Sequence, residues 1–244
     1  MENQIPSVAY ESIAGRRGAL VHAGRSVAQA DLYELQWEGR PALVKDFSAR
    51  PWWVRRFWAP FVVRREVAAL QCLQALPGVP RLYGRAGPLA FVMERVDGQR
   101  LPHRREPPPP PGFWANSRRL IDGLHRLGVA HGDLRRKNLL MDPEGRAYLI
   151  DFATAIRRRD RGLHAPLVNL LCRRLQKVDR VTYARIKASY QPEQLDGTER
   201  QWLQRTPWYL KAGRFMKKRL YRWIQPKFRR KQKRKRERRR RFNP

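Results

Sequence analysis

The chain has 244 residues, 42% hydrophobic and 10% aromatic, enough apolar material for one substantial core or two small lobes, which excludes general disorder. Lys and Arg number 53 against 21 acidic residues, a formal net charge of +32, so the expected partner is polyanionic: nucleic acid or an anionic membrane surface. Cys72 and Cys172, far apart and each in an apolar context, exclude a disulfide framework or thiolate metal site and are both expected in the core. The start MENQIPSVAY lacks the basic and apolar runs of a signal peptide, and no stretch approaches the roughly 20 apolar residues that span a bilayer. A cytoplasmic location is expected.

In chain order, strands come first. Residues 28–37 and 41–47 are apolar-rich and flank the turn-like Glu38-Gly39-Arg40, which predicts a β-hairpin. Val63, Val67, Leu70, Leu73 and Leu76 then recur at helical spacing until Pro77-Gly78. GPLAFVME (87–94) reads as a buried strand before a turn at Gly98. The run Pro107 to Pro111 predicts a stiff extended link. Beyond it, Phe113, Leu120, Ile121, Leu124 and Leu127 mark an amphipathic helix ending at Gly128. Short strands at 138–141 and 148–150 flank the turn Asp142-Pro143-Glu144-Gly145, and helical sequence resumes near 163–175. The predicted order is a β-rich first lobe with one main helix (1–96), a hinge and proline-rich connector (97–112), a mainly helical second lobe (113–200), a basic amphipathic helix (201–226) and a disordered polybasic tail (227–244). From Lys211 onward there are 18 basic residues and one acid, so +17 of the +32 lies there.

Three segments carry chemistry: ALVKDF (42–47) on the third strand, HGDLRRKN (131–138) before the second hairpin and LIDFA (149–153) closing it. Asp133 precedes Asn138 by five residues and Asn138 precedes Asp151 by thirteen. Singly these residues read as turn or cap residues; together, in this order and spacing, they resemble the signature set of the protein-kinase-like fold. The resemblance implies an α+β, two-lobed fold and transfer of the ATP γ-phosphate with Mg²⁺. It implies Asp133 as catalytic base, Asn138 and Asp151 as metal ligands, and Lys45 on the α- and β-phosphates, paired with Glu66, which otherwise reads as a solvated acid at a helix start. His131 is expected to prop the catalytic loop, and Arg135 to place positive charge near the γ-phosphate. Gly24 and Ser26 stand where a glycine-rich phosphate loop belongs, and Glu94 is a further cofactor-binding candidate at the end of the buried strand. Ala153 replaces the usual glycine after Asp-Phe, and no Ala-Pro-Glu segment follows, so a standard peptide substrate is not expected.

The HGD loop, the compact form and the missing activation segment are similar to the bacterial lipopolysaccharide core kinases, which phosphorylate Kdo or heptose sugars on lipid A precursors. The resemblance runs from about Gly18 to Lys177. RIO-type protein kinases share the loop and also lack that segment, and the sparse glycine loop leaves a pseudokinase scaffold as a third reading. Within 50–65, Trp52, Trp53, Phe57, Trp58 and Phe61 interleave with Arg50, Arg55, Arg56, Arg64 and Arg65, a composition suited to the headgroup boundary of an anionic membrane or to packing beneath the first-lobe helix. Trp208, Ala212, Phe215, Met216, Leu220, Trp223 and Ile224 form an apolar stripe among cations, suited to a helix lying in a membrane surface or packed on the second lobe. The expected partner is therefore an anionic membrane or a lipopolysaccharide precursor, with peripheral attachment at the inner face. Nucleic acid is less favoured, because no zinc spacing, RNA-binding aromatic signature or helix-turn-helix is present.

Overall fold

The computed structural model describes residues 6–24, 26–102 and 106–204. The predicted stripe from Trp208 onward and the polybasic tail lie outside them. The architecture is mixed α/β with antiparallel sheets. It opens with a short helix, α1 (Tyr10–Ala14), then β1 (Leu20–His22), β2 (Asp31–Trp37) and β3 (Arg40–Asp46). The β2–β3 pairing runs from Asp31 opposite Asp46 to Trp37 opposite Arg40, closed by the two-residue turn Glu38-Gly39 with φ of 49° and 74°. That is the left-handed turn whose twist matches a hairpin, as the sequence predicts.

A helical run over 52–72 follows. Its second turn, Val54–Trp58, is widened to π form with the Ala59 N–H donating to Val54 O, and the regular helix α2 (Ala59–Cys72) continues from there. Pro60 explains the widening, since it has no N–H to carry the ordinary ladder across this point. The helix thus begins well before the apolar repeat signals it and ends at Cys72, earlier than Leu76. The sequence reading missed β4 (Leu82–Ala86), whose pattern is broken by Gly84 and Arg85. It pairs with β5 (Ala90–Glu94) to give the sheet order β1-β2-β3-β5-β4.

Alternation along β3 and β5 divides the sheet into two faces. Ala42, Val44, Ala90 and Val92 join Leu35, Ala86 and Ile13 of α1 in one apolar cluster. Lys45 and its cross-strand partner Phe91 lie on the opposite face, which packs against α2. The buried residues of α2 include Val62, Val63, Val67 and Leu70, and between them Glu66.

The connector contains a strand that the sequence does not announce, β6 (Gln99–Arg100), paired with β8 (Leu139–Met141), which forms a hairpin with β9 (Ala147–Leu149). Helix α3 (Pro111–Arg126) starts on the last residue of the proline run, a position where the missing N–H costs nothing. Strand β7 (Val129–Ala130) pairs with β10 (Ile156–Arg157). Helix α4 (Ala165–Ala188) runs thirteen residues past the predicted stretch, and a short helix α5 (Gly197–Gln204) follows it. Trp114 and Tyr183 pack edge to face between α3 and α4, and the Tyr183 hydroxyl donates to Trp114 O at 2.8 Å. Cys172 is buried, but Cys72, at the end of α2 with its thiol 3.5 Å from Leu127 O, is only half-buried, which corrects its expected core placement.

One contact ties the sheet-bearing half to the β8–β9 hairpin: the Leu149 N–H donates to Gly78 O at 2.8 Å. Gly78 has φ of +88°, and a Cβ there would lie 2.5 Å from Ala147 O. Gly78→Ala combines backbone strain with a clash against main chain, so we expect a loss of about 2 kcal/mol or more in chemical denaturation. Unchanged stability would show that this junction does not carry the connection.

Candidate active site

The site is assembled around a buried ammonium. Lys45 Nζ lies 2.9 and 2.8 Å from the two Glu66 oxygens and 3.2 Å from Asp151 Oδ1, joining β3, α2 and the segment after β9. The Lys45 side chain is 12% exposed and that of Glu66 1%. Burial alone would pull the Lys45 ammonium down, but the Glu66 and Asp151 carboxylates outweigh it and hold its pKa above the ordinary value. Asp151 is held below its ordinary value, first by Lys45, while burial pushes the Glu66 carboxyl up against the attraction of Lys45. Glu66 is therefore no solvated helix-start acid: with α2 beginning at Ala59, it sits in the middle of the helix on the buried face.

Asp151 adopts φ of 68° and ψ of 70°, a left-handed conformation that aspartate tolerates better than most residues. The preceding Ile150 N–H donates to Asn138 O at 2.9 Å, bringing the two predicted metal ligands to one place. Asn138 closes a 3-10 turn (Arg136–Asn138), is buried, and donates through Nδ2 to Asp133 O at 3.0 Å. This commits the amide nitrogen to the main chain and leaves Oδ1 as the side chain's oxygen donor. A carboxylate kept ionised by a neighbouring cation and a fixed amide oxygen are hard donors that fit Mg²⁺, which takes few protein ligands when phosphates complete its shell.

His131 is fully buried. Its Nε2 meets Ile150 O at 3.1 Å and its Nδ1 accepts from the Asp133 N–H at 3.3 Å, so the contacts assign the proton to Nε2. The ring lies 4.9 Å from that of Phe152. With both nitrogens occupied by main chain, His131 positions the loop and is not available as a catalytic group. The residue that the sequence reading missed is Asp179, in the middle of α4 and fully buried. Its carboxylate accepts from the His131 and Gly132 N–H groups at 2.8 and 3.0 Å, with His125 Nε2 at 3.3 Å. Gly132 has φ of +76°, and a Cβ there would meet Thr154 O at 2.9 Å, so the glycine of HGD lets the loop turn tightly around this anion. The available signal was an acid on the apolar face of α4, at helical spacing between Cys172 and Tyr183.

Asp133 accepts on Oδ1 from Arg135 Nε and Nη2 at 2.8 and 2.5 Å. Arg135 thus grips the candidate base, a contact the sequence reading did not foresee. The Gly24 N–H is likewise spent within its own loop, donating to Asp31 Oδ1 at 2.8 Å, and a Cβ would meet Gln29 O at 2.6 Å; Gly24 shapes the loop and does not present its N–H outward. Ser26 is exposed on that loop. Glu94 lies three residues beyond Phe91, the partner of Lys45, and its Oε2 accepts from the Arg81 N–H at 2.9 Å, so it fastens β4 instead of joining the cluster. Arg65, not foreseen, donates to Ala153 O beside Asp151. A cavity of about 250 Å³ lined by Arg16, Glu34, Gln36 and Arg95 shares no residue with this site.

Comparison with known proteins adds an independent finding. Residues 112–209 match the model of the lipopolysaccharide kinase (Kdo/WaaP) family, the family whose motifs the sequence resembles. A 3-deoxy-D-manno-octulosonic acid kinase of Stenotrophomonas maltophilia (strain K279a) is 35% identical over 111 residues, covering 41% of this chain and 45% of that protein. The kinase of the same name from Xanthomonas campestris pv. campestris (strain B100) is 31% identical over 112 residues, 42% of this chain and 45% of the relative. That of Xylella fastidiosa (strain M12) is 36% identical over 86 residues, 32% and 34% of the two chains. The matches span less than half the length of these curated relatives.

Removing the Asp179 carboxylate strands two buried N–H donors, each worth about 1–3 kcal/mol. Asp179→Ala should destabilise the protein by about 2–4 kcal/mol in denaturant titration, with early amide exchange at His131 and Gly132. Wild-type stability in this variant would remove Asp179 from its anchoring role.

Proposed function

We propose that this chain is an ATP- and Mg²⁺-dependent kinase of the two-lobed protein-kinase-like fold, transferring the γ-phosphate to a hydroxyl of a Kdo-type sugar on a membrane-embedded glycolipid. The observation that carries the reading is the convergence of Lys45, Glu66 and Asp151 from three distant segments, with Asn138 and Asp133 on the adjoining loop. The family match over 112–209 and the names of the relatives support the choice of acceptor.

In this reading Glu66 orients Lys45 toward the α- and β-phosphates, and Asp151 with Asn138 Oδ1 would hold Mg²⁺, whose contribution is to neutralise charge on the phosphate oxygens. Asp133 accepts the proton of the acceptor hydroxyl as the new O–P bond forms and the bond from the γ-phosphorus to the bridging β–γ oxygen breaks, leaving ADP. Arg135 orients the Asp133 carboxylate before the acceptor enters. His131 and Asp179 keep the loop in place and touch no reacting atom.

The test is transfer of labelled γ-phosphate by the purified full chain to a Kdo-bearing lipid A precursor. We expect labelled lipid, with kcat reduced by about 10²–10⁴ in Asp133→Asn. Label appearing on a protein acceptor and not on the lipid would replace this reading with the RIO-like one. Nucleotide binding without turnover, indifferent to Asp133→Asn, would replace it with a scaffold.

A further inference from the structure

Among the described residues the aromatic side chains range from fully buried to exposed, with Tyr10, Tyr33, Trp37 and Tyr83 partly buried between the extremes. Phe47, Phe91, Phe113, Trp114, Phe152 and Tyr183 are buried to within 1%. In the helical run over 52–61 the rings stand in solvent: Trp52 is 67% exposed, Phe57 66%, Phe61 57%, Trp53 48% and Trp58 43%. Packing beneath the first-lobe helix, one of the two roles open to this segment, is therefore excluded for them. Trp52 and Phe57 meet edge to face at 6.3 Å, and the cations of Arg56 and Arg65 lie 5.6 and 5.1 Å over Phe57 and Phe61. Arg55 and Arg64 are exposed alongside. Five large rings on one helix far exceed the scattered apolar residues that a soluble surface normally carries.

We propose that this ridge docks the protein on an anionic lipid bilayer, with the rings entering the interface and the arginines meeting lipid phosphates, and that docking strengthens nucleotide binding. Charge complementarity chooses the occupant. A second copy of a chain at +32 would be repelled, and anionic headgroups match the cations that frame the ridge. Single-stranded nucleic acid, whose bases need open ring faces, would find one face of Phe57 and one of Phe61 taken by a guanidinium group. No described helix is long and apolar enough to cross a membrane.

The ridge is also joined to the candidate site at three points. Trp58 Nε1 donates to Ala28 O at 3.2 Å, on the loop expected over the phosphates. Arg65 donates to Ala153 O beside Asp151, and the next residue on the same helix is Glu66, the partner of Lys45. Holding this helix at a surface restrains all three. The coupling half of the proposal rests on the nucleotide-site reading above; the docking half does not.

The test compares the full chain with W52S/W53S/F57S, which alters only exposed rings, in partitioning onto phosphatidylcholine vesicles containing phosphatidylglycerol. High salt screens attachment made by charge alone. We expect the variant to partition at least about tenfold more weakly than wild type, because burial of three rings is lost. A fluorescent ATP analogue with Mg²⁺ should bind wild type more tightly when vesicles are added, and the variant equally with or without them. Equal partitioning of variant and wild type, or ring-dependent binding to single-stranded RNA with none to vesicles, would overturn the docking surface. Unchanged nucleotide affinity on vesicles would overturn the coupling. Ring-dependent vesicle binding in a protein that binds no nucleotide would uphold the surface and refute the kinase reading instead.

Discussion

An ammonium carried into the space between a sheet and a helix must be met by carboxylates, and the arrangement of this protein follows from how Lys45 is met. Glu66 comes from α2 and Asp151 from beyond β9, so one cation holds together segments separated by 21 and 106 positions. Desolvating such charges costs several kcal/mol per ion, and ion pairs of this kind are seldom retained for stability alone. The pKa directions fit that view. Asp151, held low by Lys45, adds stability above its unfolded pKa that is lost as pH falls through the folded value, while Lys45, held high, adds stability that is lost only as pH rises through its folded value. Lys45 and Asp151 are thereby both held in their charged forms, while burial works against the charge of Glu66. A fixed cation beside a fixed carboxylate is a prepared seat for a phosphate and its counter-ion.

The loop facing this seat is built from the main chain outward. Asp179 gathers the N–H groups of His131 and Gly132, His131 ties Asp133 to Ile150, and Asn138 returns to Asp133 O. Each of these bonds satisfies a backbone group that burial would otherwise strand, so together they fix the path of the loop from which the Asp133 and Asn138 side chains leave. Arg135 is the exception. Its side chain is 43% exposed and grips Asp133 without bonding the loop's main chain in any contact described above.

Much of this was legible in the sequence because it is local or because the resemblance supplied it. The first hairpin follows from apolar runs around Glu38-Gly39, α3 from a clean helical repeat, and the second hairpin from Asp-Pro-Glu-Gly. The pairing of Lys45 with Glu66 was what the resemblance implied, whereas the contact of Asp151 with Lys45 was not foreseen. What escaped depends on three-dimensional neighbours. Strand β4 is broken by Gly84 and Arg85, and α2 starts within a tryptophan- and arginine-rich stretch that has no apolar period, which moved Glu66 from helix start to helix middle. Gly24 and Arg135 were assigned by position in a motif, and the carboxylates that take their donors, Asp31 and Asp133, could be found only in three dimensions. Asp179 belongs to no motif at all; its importance lies in what it holds 47 and 48 residues away.

The net charge of +32 now divides by role. Of it, +17 lies from Lys211 to the end of the chain, and the remaining +15 belongs to the part that carries the site and the exposed ridge. The central claim, that the junction of Lys45, Glu66 and Asp151 is a seat for a metal-bound nucleotide, is tested most directly by calorimetric titration of the full chain with a non-hydrolysable ATP analogue, with and without Mg²⁺, beside Asp151→Asn. The account predicts binding that Mg²⁺ strengthens in wild type and that the variant, still folded, makes weakly and without regard to Mg²⁺. Binding of equal strength in both proteins, insensitive to the metal, would contradict it.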